Sequence, residues 1–83
     1  SPKPRLIKRR ELDFEYDVSY HPESNSFFIL TNKDKAVDYK IMKVSTKNPE
    51  VENWEIFLDH KPGRLILDIM IIKGWLIIPY TKL

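Results

Sequence analysis

"LDFEYDVSY", Leu12 to Tyr20, alternates without a fault. Leu12, Phe14, Tyr16, Val18 and Tyr20 are apolar or aromatic, while Asp13, Glu15, Asp17 and Ser19 between them are polar. A period of two sends these sets to opposite faces of a β-strand, so the stretch predicts a strand over Leu12–Tyr20. Three carboxylates then share one face, neighbours about 7 Å apart. That spacing is compatible with a general acid and base pair or with a weak divalent-cation site. Neither has support nearby. There is no glycine-bearing Ca²⁺ loop, and side chains on one strand do not converge on one ion. A solvated or cross-strand-paired face is the expectation for Asp13, Glu15 and Asp17.

Further strand signals follow at short, even intervals. The turn formers "HPESNS" precede "FFILTN" (27–32), "KDKAVD" precedes "YKIMKVST" (39–46), and "KNPEVEN" precedes "WEIFLDH" (54–60). After "KPGR", Leu65–Ile72 and Trp75–Tyr80 flank Lys73-Gly74. Strand starts about 12 residues apart, with turns between them, predict an all-β antiparallel meander. In "NPEVENWEIFL", Asn48, Pro49 and the following acids also suit a helical start, so one helical turn at 49–53 competes with strand there. For Lys73-Gly74 the expectation is a hairpin closed by a type I turn with glycine in the left-handed position, because lysine is poor at positive φ.

Eighty-three residues make at most one small domain or a piece of a larger one. Aromatic content of 12% and hydrophobic content of 42% suit a packed chain. Without cysteine there is no disulfide framework or thiolate metal site, which fits a cytoplasmic protein. No leader-like segment stands at the start. The apolar run Leu65–Pro79 is interrupted by Asp68, Lys73 and Gly74 and falls short of the roughly 20 residues of a spanning helix. A soluble chain with no membrane partner is expected.

Lys3, Arg5, Lys8, Arg9 and Arg10 give residues 1–10 five basic groups and no acid, leaving nine basic residues against 12 acids in the remainder. Residues 1–10 therefore read as a basic arm or linker. Such arms bind nucleic acid or anionic membranes, but this one has no aromatic residue for base stacking. An ordinary linker is expected, and nucleic acid is not the favoured partner.

Little else suggests chemistry. His21 and His60, each at a strand end, lack a third ligand for zinc. The only glycines, Gly63 and Gly74, exclude a G-x-S-x-G elbow and a phosphate-cradling loop. Trp54 and Trp75 begin apolar runs and are expected to pack between sheets rather than serve as ligand platforms. The residues offer no catalytic, cofactor-binding or metal site of their own.

The order of segments carries more. An arginine followed by "EYDVSY", then "FFILTN", "YKIMKV", "NPEVENWEIFLDH" and "LILDIMIIKGWLIIPY" together resemble the N-terminal β-propeller of the prolyl oligopeptidase family of serine peptidases. The likeness covers roughly residues 9–80 and is nearest to the oligopeptidase B and prolyl endopeptidase-like branch. It implies about one and a half blades of a seven-bladed propeller: residues 11–60 as one four-stranded blade and 61–83 as the first half of the next. It also implies partners, namely the rest of the propeller, an α/β-hydrolase domain bearing the Ser-Asp-His triad, and short peptide substrates. The propeller itself would gate access without catalysing. The ending "PYTKL" departs from many oligopeptidase B members, which continue with an acidic-basic pair and a glycine. On this plan Leu12, Phe14, Tyr16 and Val18 pack on a neighbour. The doubly apolar Leu65–Ile78 region needs cover on both sides, so the isolated fragment is expected to self-associate. The competing expectation is a free-standing small β-barrel binding nucleic acid or protein.

Overall fold

The computed structural model describes the backbone of residues 7–8 and the whole of residues 12–83. In the described residues nine strands succeed one another: β1 (Ile7–Lys8), β2 (Glu15–His21), β3 (Ser26–Thr31), β4 (Lys40–Ser45), β5 (Glu55–Leu58), β6 (Arg64–Ile66), β7 (Met70–Ile72), β8 (Trp75–Ile77) and β9 (Tyr80–Lys82). Among the described residues the only helical pieces are three short 3-10 turns. The all-β meander read from the segment spacing is the observed architecture.

β1 to β5 form one antiparallel sheet in sequence order, open rather than closed into a barrel. Two residues within the stretch read as an arm thus belong to the sheet, Ile7 opposite Tyr16 and Lys8 opposite Glu15. The rest of residues 1–10 lies outside the described residues. β2 starts three residues later than the alternation suggests. The start is set across the sheet: Asn32 Oδ1 accepts from the Glu15 amide at 2.8 Å and Thr31 Oγ1 donates to the Glu15 carbonyl at 2.6 Å, holding Glu15 beside the first β2–β3 pair, Tyr16 and Thr31. At 49–53 the helical alternative wins in its shortest form, a 3-10 turn over Val51–Asn53, and the strand follows at Glu55–Leu58. The Asn48 side chain does not cap that turn; its carbonyl accepts from Asn53 Nδ2 instead.

The two long apolar strands expected after residue 64 are broken. β6 pairs with β9 and β7 with β8, giving one hairpin in two halves. Between the halves, residues 67–69 on one side face 78–79 on the other. Leu67 N donates to Pro79 O at 2.9 Å, but Pro79 has no N–H to return, and Asp68 Oδ1 takes the Ile69 amide at 2.7 Å. With its donors diverted, the ladder stops and restarts. At the tip the turn type differs from expectation as well. Lys73 has φ +50° and Gly74 +81°, and Ile72 pairs with Trp75 across them, so this is a type I′ turn. Its twist matches the flanking strands, which outweighs the local cost of a left-handed lysine.

The hairpin lies over one face of the five-stranded sheet. Phe28, Leu30 and Ile41 from the sheet pack with Ile66 and Ile69 from the hairpin, flanked by Tyr39, Leu58, Leu76 and Ile78. Ile29, Met42 and Val44 form the core of the opposite face, with Tyr16, Phe27 and Trp54 beside them.

Candidate functional site

The two faces of the sheet set out what this chain can do. In the ladder Val18 lies opposite Ile29, Tyr20 opposite Phe27, Phe27 opposite Val44, and Met42 opposite Ile56. These residues make a continuous apolar face: Ile29, Met42 and Val44 at its centre are buried, whereas Val18, Tyr20 and Ile56 around them stay 43%, 51% and 49% exposed. One corner is filled locally: the Trp54 ring meets Phe14 and Tyr16 edge-on at 5.8 and 5.6 Å, and its Nε1 donates to Pro49 O. A second apolar surface lies on the outside of the distal hairpin, where Met70, Ile72, Trp75 and Ile77 are exposed. Trp75, expected inside, is 76% exposed, because alternation along β8 turns Leu76 rather than Trp75 toward the core.

The three carboxylates separate. Asp13 is exposed ahead of the strand, while Glu15 and Asp17 are half-buried. Asp17 lies opposite Leu30, on the face over which the hairpin lies, and keeps only part of its contact with water. Burial, and then the negative charge of Asp68, hold its carboxyl above the ordinary aspartate range. Asp34 is drawn the other way, held low by hydrogen bonds from Lys33 and then Lys40. No group of three or more His, Cys, Asp or Glu able to hold a metal ion occurs among the described residues.

The histidines serve opposite ends of the hairpin. His21 accepts at Nδ1 from the Ser24 amide, 3.2 Å away, which leaves the proton on Nε2; that nitrogen donates to the Gly74 carbonyl at 2.8 Å. Ser24 Oγ also lies 2.6 Å from Nδ1, and Glu23 Oε1 lies 3.8 Å from Nε2. A serine, a histidine and a carboxylate within four residues look like a hydrolytic set. The geometry is that of a cap: Nδ1 serves the start of the 3-10 turn Pro22–Ser24, and Nε2 is spent on a backbone carbonyl. This clasp was not legible in the sequence, since its halves lie 53 residues apart. His60 sits at the hairpin base with Nε2 3.9 Å from Asp38 Oδ2, beyond hydrogen-bond reach. Asp38 itself ties the base down, its Oδ2 accepting from Gly63 N at 2.9 Å and its carbonyl from Ile66 N at 3.3 Å.

Residues 1–82 match the family model of the prolyl oligopeptidase N-terminal β-propeller domain. The chain belongs to this family. Stacked, helix-free antiparallel meanders are what a propeller is made of. Prolyl endopeptidase-like proteins of Rattus norvegicus and Homo sapiens are each 27% identical to it over 70 residues, covering 84% of this chain and 9% of their own length. The chain thus spans about a tenth of these curated relatives. No solved structure matches it significantly. Within the family's propeller, where sheets stack face to face, a sheet covered by the hairpin on one face and partly exposed on the other leaves room for a further layer.

Proposed function

We propose that this chain supplies about one and a half blades to the propeller of an oligopeptidase B-like or prolyl endopeptidase-like serine peptidase, residues 11–60 forming one blade and 61–83 opening the next. In this reading it contributes no catalytic group. The propeller restricts entry to a hydrolase domain carried elsewhere in a longer protein, so that short peptides pass and folded proteins do not. The observation that carries the reading is the pair of exposed apolar surfaces, Val18–Tyr20–Ile56 on the sheet and Met70–Ile72–Trp75–Ile77 on the hairpin. They lie at opposite ends of a two-layer stack, where preceding and following blades would sit. Cysteine-free composition supports a cytoplasmic location.

The test has two arms. Purified alone, the 83 residues leave a fluorogenic peptide with a basic residue before the scissile bond uncleaved, and a fluorophosphonate leaves Ser24 unlabelled. In sedimentation the chain self-associates through its bare faces, and Ile77→Asp disperses it. Stoichiometric labelling of Ser24 would overturn the non-catalytic role. A compact monomer that melts cooperatively would overturn the blade-fragment reading.

A further inference from the structure

The hairpin is not uniformly attached. Its base is held by both Asp38 contacts and by Ile66, which is fully buried. Its distal half, Met70–Ile77, consists of two three-residue strands, and an isolated two-stranded hairpin is at best marginally stable in water. The break at 67–69 and 78–79 uncouples that half from the base, so ladder hydrogen bonds do not transmit the base's rigidity to the tip. Asp17 and Asp68 place like charges beside the break. Beneath the distal strands Leu76 reaches the core, whereas Met70, Ile72, Trp75 and Ile77 face outward. Among the described residues the tip is tied by a hydrogen bond from His21 Nε2 to Gly74 O, with the Glu23 side chain lying against Gly74.

We propose that residues 70–77 form a flap that opens as a unit about the break at 67–69 and 78–79, with His21 as its latch. The latch is specific in form. It needs a hydrogen on Nε2, and the Ser24 amide favours that arrangement by occupying Nδ1. Opening exposes Leu76 and leaves the Asp38-anchored base and the five-stranded sheet in place.

Amide hydrogen exchange of the 83-residue chain, read residue by residue below its association concentration, tests this. The amides of 70–77 share one protection level, lower than that of β3 and β4. Replacing His21 by alanine speeds their exchange roughly tenfold, as loss of a hydrogen bond and a cap predicts, and leaves β3 and β4 unchanged. His21→Gln, which keeps a donor at comparable reach, restores most of the protection. Two results would overturn the proposal: 70–77 exchanging in wild type only by the same global event as β3, or His21→Ala accelerating β3 and β4 equally with the flap. Should the alanine variant not fold, the wild-type protection pattern and the glutamine variant decide.

Discussion

The two faces of the central sheet are built from the same kinds of residue and have different fates. On one, Phe28, Leu30 and Ile41 are sealed by Ile66 and Ile69 of the hairpin. On the other, Ile29, Met42 and Val44 are buried with Tyr16, Phe27 and Trp54 beside them, and Val18, Tyr20 and Ile56 remain half exposed. Alternate residues of β3, Phe28 and Leu30 against Phe27 and Ile29, supply both faces. A strand apolar on both sides states that two layers exist. It does not state which layer is within the chain.

The largest effect expected of this asymmetry is at Ile66. Ile66→Ala empties the centre of the covered face, costs about 2–5 kcal/mol and removes much of the stability a small domain has. Val18→Ser on the bare face stays within about 0.5 kcal/mol in the monomer. Urea denaturation of both variants below the association concentration checks the contrast, and equal losses would break it.

A smaller effect belongs to Asp17. Its folded pKa is raised, so the stability it lends is complete below the ordinary aspartate value and is lost as pH rises through the folded value. Asp17→Asn therefore stabilises the chain at neutral pH and flattens its stability profile through the acid range. A melting series from pH 3 to pH 7 reads this directly, and a variant less stable at neutral pH would show that Asp17 is not opposed by Asp68 across the layers. The smallest effect is at Lys73. Asparagine tolerates the left-handed region better, so Lys73→Asn stiffens the hairpin that seals the covered face by about 0.5 kcal/mol. A raised melting midpoint, with flap exchange slowed about twofold, is the expected reading.

Much of the meander was legible because alternation and turn formers act locally. "EYDVSY", "FFIL" and "KIMKV" became β2, β3 and β4 with shifts of a few residues. What could not be read depends on partners distant in the chain. The start of β2 is fixed by Asn32 and Thr31, the break in the hairpin by Pro79 across from Leu67 and by Asp68 taking the Ile69 amide, and the side of Asp17 by the hairpin above it. The exposure of Trp75 follows from a layer order that its apolar neighbours do not encode. His21 looked like an ordinary strand terminus because its partner, Gly74 O, is a backbone atom without a sequence signature.

The placement of the two tryptophans gives the molecule a built-in optical readout. Trp54 stands in an aromatic corner against Phe14 and Tyr16, while Trp75 stands in water on the outer side of the hairpin. Anything that comes to lie on the hairpin desolvates one indole and barely touches the other. In a Trp54→Phe background, a blue shift and enhanced emission from Trp75 would therefore report stacking of the next layer as it happens, with no added label.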